Sequence, residues 1–172
     1  MNKLRYTVLW LVLLLILGMT NWSIFENEQL LANGQVVLLK LAPIDPRSLI
    51  QGDYMALRYA LAGDVDTSDL PNRGRLVIKL DPNNVATFQR LYHPAQPLAP
   101  DERLLEYHKR TSGLDWRGES LYIGAESFFF QEGHAEYYDK AAYGELRVTA
   151  SGQSVLVGLR DVSFRPLGPP LD

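Results

Sequence analysis

Arg75-Leu76-Val77-Ile78-Lys79-Leu80-Asp81-Pro82-Asn83-Asn84-Val85-Ala86-Thr87-Phe88-Gln89-Arg90-Leu91-Tyr92 is the stretch on which the fold turns. Two runs rich in β-branched and apolar residues flank Asp81-Pro82-Asn83-Asn84. Proline presets the first dihedral of a turn and asparagine tolerates a positive φ, so the runs read as the two arms of a hairpin. A second pair, Glu145-Leu146-Arg147-Val148-Thr149 and residues 153–159, flanks Ala150-Ser151-Gly152 in the same way. Polar and apolar residues alternate in both hairpins, which predicts sheets with one wet face.

Working outward, Val36-Val37-Leu38-Leu39-Lys40-Leu41 reads as a strand ended by Pro43-Ile44-Asp45-Pro46, and residues 54–61 read as another. Residues 104–110 and 120–123 are further strands, the latter leading to Phe128-Phe129-Phe130. Three successive aromatics cannot share one strand face, so at least one must point away from the core. Residues 132–142 have helical spacing, with Ala135, Tyr138 and Ala142 on one face. Pro94, Pro97 and Pro100 mark an irregular connector. The expected fold class is mainly β: an antiparallel sheet of about eight strands with short helices, preceded by one N-terminal transmembrane helix. Leu57 and Tyr59 are expected in the core, beside residues such as Val77, Leu80, Val148 and Leu156.

Lys3 and Arg5 precede an apolar run over residues 6–24 that contains no charge, and the first acid is Glu26. Nineteen helical residues span roughly 28 Å, close to the thickness of a bilayer core. Tyr6 and Trp22 stand where interfacial aromatics belong, and the basic flank predicts a cytoplasmic N-terminus. No Ala-X-Ala-like cleavage site follows, which favours an uncleaved signal anchor over a signal peptide. Glu26 to Asn33 favours continued helix, and Gly34 is a stop. The expected division is residues 1–25 as cytoplasmic stub and anchor, and residues 26–172 as one extracytoplasmic domain.

With Lys3 and Arg5 set aside, 15 of the 17 basic residues remain against all 20 acids. That mild, unclustered charge argues against nucleic acid as a partner. The chain has no cysteine, which excludes disulfides and thiolate metal sites. Glu132-Gly133-His134-Ala135-Glu136 invites a metal reading, but the spacing matches no His-Glu-X-X-His pattern and His93 and His108 are isolated. Neither a metal nor a cofactor is expected.

Gly52-Asp53-Tyr54-Met55-Ala56-Leu57-Arg58-Tyr59 is the most specific motif of the chain. In a strand, Asp53, Met55, Leu57 and Tyr59 share one face, and Tyr54, Ala56 and Arg58 the other. Gly52 would supply a turn dihedral, and Asp53 would cap that turn or pair with Arg47. The octapeptide resembles in full the Gly-Asp-Tyr-X-X-Leu-X-Tyr signature of the bacterial, membrane-anchored GDYXXLXY family. The likeness extends over residues 36–166, through Asp45-Pro46-Arg47-Ser48, Phe128-Phe129-Phe130-Gln131-Glu132-Gly133 and Tyr143-Gly144-Glu145-Leu146. It implies a bacterial inner-membrane location with the domain in the periplasm, and it carries no catalytic or metal role onto these positions.

If the domain has a site, the face around the signature is the expected place: Arg47, Gly52, Asp53, Tyr54, Leu57, Arg58 and Tyr59, with Glu132. These residues combine charge, hydrogen-bonding groups and aromatic surface near two backbone irregularities, at Gly52 and Gly133. The leading expectation is a membrane-tethered, non-catalytic module that binds another integral membrane protein. The alternative is a periplasmic hydrolase with Asp53 and a nearby Ser, Lys or Glu as its working groups. Ser48 and Lys40 suggest a Ser–Lys pair, which would require a Lys desolvated beside the Ser. A hydrolase should gather such groups in a pocket, whereas a binding module should expose an apolar patch.

Overall fold

The computed structural model describes residues 2–42, 54–67, 70–111 and 119–170. Its first element, α1, is one helix over Asn2–Asn33. At 1.5 Å per residue it is about 48 Å long, more than a bilayer core requires. The apolar side chains of its membrane-length stretch are exposed rather than buried in the molecule. Its polar groups turn back on the helix: Thr7, Thr20 and Asn21 donate to the carbonyls of Lys3, Ile16 and Leu17 at 3.0, 2.9 and 2.8 Å. That is the arrangement hydrocarbon demands, where no water can satisfy them. The helix continues through Glu26 to Asn33, as its composition predicted.

Gly34 ends it. Its N–H donates to the Leu30 carbonyl at 2.9 Å, and its own carbonyl accepts from Arg147 at 3.2 Å. A Cβ here would fall against the Leu30 carbonyl and within 2.9 Å of the Arg147 Cβ, so only glycine lets the helix end lie this close to the sheet.

Among the described residues nine strands follow: β1 (Gln35–Lys40), β2 (Tyr54–Ala56), β3 (Arg73–Leu80), β4 (Ala86–Leu91), β5 (Glu102–Thr111), β6 (Glu119–Tyr122), β7 (Ser127–Phe129), β8 (Tyr143–Val148) and β9 (Ser154–Arg160). They form a three-stranded sheet ordered β1-β8-β9, a four-stranded sheet ordered β4-β3-β5-β6, and the ribbon β2-β7. Every strand pair is antiparallel. The isolated parallel bridge Leu38–Val85, with the Leu38 N–H on the Asn84 carbonyl at 2.8 Å, links the two larger sheets. Both sequence hairpins are present, as β3–β4 and β8–β9. Asn84 takes φ 62° and Gly152 φ 100°, the left-handed values their turns need.

The core gathers alternate residues from every sheet, including Val37, Leu39, Leu76, Ile78, Leu105, Tyr107, Leu146 and Leu159. Leu57, Tyr59 and Val148 belong to it, and Leu80 and Leu156 pack against its margin. Val77 is buried on the other side of β3, with Leu38 of β1 and Leu104 of β5 also facing away from this core. The β8–β9 turn covers that side, where the Gly152 carbonyl accepts from the Glu106 N–H at 2.8 Å. One-sided alternation therefore holds for β8 but fails at Leu76-Val77-Ile78, which are buried on both faces.

Two expected elements are shorter than their sequence suggested. The strand expected over 54–61 hydrogen-bonds as a ribbon only at Tyr54–Ala56, and a 3-10 turn occupies Ala60–Gly63. The helix expected over 132–142 is a single 3-10 turn at Ala135–Tyr138, because Gly133 at φ 81° breaks the backbone before it. Tyr138 is the side chain it buries.

Candidate functional site

Arg47, Ser48, Gly52 and Asp53 lie outside the described residues. From Tyr54 onward the signature follows the predicted alternation: Met55, Leu57 and Tyr59 are buried, while Ala56 and Arg58 are exposed. The chain here threads between two others. The Leu57 N–H donates to the Glu126 carbonyl at 2.7 Å, and the Arg58 carbonyl accepts from the Ala42 N–H at 2.8 Å. Leu57 and Tyr59 thus lock the ribbon and the three-stranded sheet together.

Tyr59 carries the most specific of these contacts. Its hydroxyl donates to the Ala125 carbonyl at 2.5 Å. Its ring lies over Gly144, where a Cβ would come within 3.0 Å of the ring edge. Burial, reinforced by the Glu126 carboxylate, pushes the phenol far above its ordinary range, so it stays protonated. Glu126 itself caps the turn before β7, accepting from the Ile123 and Gly124 N–H groups at 2.5 and 3.0 Å. That role was missed in the sequence, where only Gly124 signals a turn. These groups hold the fold together.

The outward half of the signature meets the aromatic triplet. Tyr54 pairs with Phe129 across the ribbon, with ring centroids 5.8 Å apart. Phe128 and Phe130 turn inward onto Tyr138 at 5.0 and 5.5 Å, whereas Phe129 is 74% exposed. The structure therefore joins Tyr54 to Phe129 rather than to Glu132, which is exposed in the turn leading to Gly133. His134 sits edge-on to Tyr137 at 5.3 Å. Among the described residues, no three His, Asp or Glu side chains gather as a metal would require.

Two ion pairs elsewhere are framework. Arg90 meets Glu102 at 2.9 Å, and Arg160 meets Glu145 at 2.7 Å. The Glu145 carboxylate pushes the Arg160 guanidinium further up from an already high value. Arg160 also donates to the Phe164 carbonyl, holding the turn after β9.

A concave site does exist, away from the signature. A cleft of ≈ 670 Å³ opens between the last three turns of α1 and the sheet edge. Trp22, Phe25 and Leu30 line its helix wall, and Arg103, Val148 and Gln153 its sheet wall. Sequence reading missed it because Trp22 and Phe25 on one wall and Val148 and Gln153 on the other are more than a hundred residues apart. None of the described signature residues, Tyr54 to Tyr59, lines it.

Comparison with known proteins bears on the whole chain. A family model described as GDYXXLXY protein matches residues 16–159, from the middle of α1 to the end of β9. The chain belongs to the GDYXXLXY family. The match takes in the signature, the aromatic triplet and Tyr143-Gly144-Glu145-Leu146, so Tyr59 and the glycine beneath its ring are both within it. Family membership and the apolar α1 fit a membrane-anchored protein. No curated protein and no solved structure matches the chain significantly.

Proposed function

We propose that this GDYXXLXY protein is a non-catalytic module, tethered by α1, whose strands form one domain outside the inner membrane and dock on an integral membrane protein. The observation that carries this reading is Phe129, 74% exposed beside Tyr54 at the rim of a two-stranded ribbon. Aromatic side chains are enriched in docking surfaces, and this one is presented on a two-stranded ribbon. The buried half of the signature supports it, because Leu57 and Tyr59 fix the ribbon that presents Phe129. The cleft beside α1 is lined chiefly by apolar groups and carboxamides, a poor setting for hydrolysis.

Lys3 and Arg5 before the apolar run, and no acid before Glu26, favour an inside N-terminus with α1 as an uncleaved signal anchor. Protease added to spheroplasts should digest the strands; their protection would overturn the orientation. The Asp53→Asn protein should fold and retain its partner. A deletion-like phenotype with the partner retained would favour the hydrolase reading instead.

A further inference from the structure

We propose that the cleft between α1 and the β8–β9 turn holds one zwitterionic phospholipid, a diacyl lipid with a phosphodiester and a primary amine in its headgroup. The inference rests on the reading that α1 spans the membrane. Its volume of ≈ 670 Å³ is in the range that accommodates a bound small molecule.

The first support is level. The helix wall begins at Trp22, where the apolar run gives out, and ends at Asn33, roughly 16 Å further along the axis. A headgroup layer extends roughly 5–7 Å beyond the hydrocarbon on each side. The lower end of the cleft, from Trp22 to Glu26, therefore stands at headgroup depth.

The second support is polarity. Trp22 and Phe25 are the low, apolar end of the helix wall, while Gln29 and Asn33 are the high, polar end. The glycerol and acyl root against Trp22 and Phe25, with the polar end of the headgroup turned toward Gln29, match that gradient.

The third is charge. Glu26 and Arg103 are the two charged residues of the lining, one of each sign. Glu26 is oriented by the Trp22 indole N–H at 2.9 Å. Arg103 is held by Gln35 at 2.5 Å and by the carbonyls of Pro100 and Glu102 at 2.7 Å each. These bonds engage Nε and Nη1, leaving the Nη2 edge of the guanidinium for a phosphate. A zwitterionic headgroup satisfies both charges, amine on Glu26 and phosphate on Arg103. An anionic headgroup would satisfy one and oppose the other.

The test is native mass spectrometry of the full-length protein released from nanodiscs containing equal phosphatidylethanolamine and phosphatidylglycerol. One retained phosphatidylethanolamine is expected, favoured about tenfold over phosphatidylglycerol, a difference of about 1.4 kcal/mol. Glu26→Lys should reverse the preference, and Arg103→Gln should lower retention of both lipids. Glu26 is exposed on α1, so its exchange does not threaten the fold. No retained lipid, or a preference unchanged by Glu26→Lys, would overturn the proposal. So would a photoreactive residue at position 153 that crosslinks to protein and not to lipid. Alkaline carbonate extraction separates the failures: release from membranes removes the spanning reading of α1 and the proposal with it, whereas retention without bound lipid removes the proposal alone.

Discussion

The Tyr59 hydroxyl donates to the Ala125 carbonyl at 2.5 Å, and the same ring fills the space that a side chain at position 144 would need. The last letter of the signature and the glycine of Tyr143-Gly144-Glu145-Leu146 are thus two halves of one packing arrangement. The signature reads as a structural lock whose inner half positions its outer half.

Tyr59→Phe strands a buried carbonyl and should cost about 1–3 kcal/mol in chemical denaturation. Gly144→Ala pushes a methyl against the ring and should cost about 1–3 kcal/mol. Contact makes the two non-additive: in a Tyr59→Leu background, Gly144→Ala should cost measurably less. Equal costs in both backgrounds would mean that the ring does not set the requirement for glycine.

Alkaline stability carries a second signature of Tyr59. Its folded proton is held well above the ordinary tyrosine range by burial. Below a pH of about 10, folded and unfolded states are both protonated and the group has no effect on pH dependence. Above it the unfolded chain ionises and the folded one does not, so stability should fall as pH rises, by up to about 1.4 kcal/mol per pH unit from this residue. Tyr107 is shifted in the same direction by burial and adds to the slope. Tyr59→Phe should flatten the decline without abolishing it, as urea midpoints between pH 9 and 11 would reveal.

Leu57 is 3% exposed in the midst of the core. Leu57→Ala should cost about 2–5 kcal/mol, the usual loss for a buried leucine. A change below about half a kcal/mol would place the side chain outside the packed core.

Gly34→Ala tests the junction between helix and sheet. The added Cβ meets backbone atoms of Leu30 and Val148, which cannot swing aside as a flexible side chain would. The domain should keep its strands while α1 undocks, which protease sensitivity near residue 34 would report.

The hairpins were legible because their turns announce themselves. Pro82 and Asn84 mark one, and Gly152 the other, at φ 62° for Asn84 and 100° for Gly152. A third turn has the same construction: the Asp161 carboxylate accepts from the Ser163 and Arg165 N–H groups as Asp81 does from Asn83 and Val85. It went unread because Val162-Ser163-Phe164 contains neither proline nor glycine, and Phe164 takes φ 63° without announcing it.

Alternation correctly sent Leu57 and Tyr59 inward and Arg58 outward. It could not foresee that Val77 would be buried as well, since the β8–β9 turn that covers it arrives from another part of the chain. Likewise the site was half legible. One phenylalanine of the triplet had to face out, but only the register Tyr54–Phe129 identifies which. The cleft was invisible, because Trp22 and Gln153 become neighbours only through the docking of α1.

As proposed above, Phe129 presents a docking surface for an integral membrane protein. Its most direct test is quantitative affinity purification from solubilised native membranes, comparing wild type with Phe129→Asp, both shown by thermal melting to be folded. An exposed aromatic anchor predicts an integral membrane protein recovered with wild type and reduced by about tenfold or more with Phe129→Asp. Equal recovery from both proteins, or no membrane partner with either, would mean that Phe129 anchors no such partner.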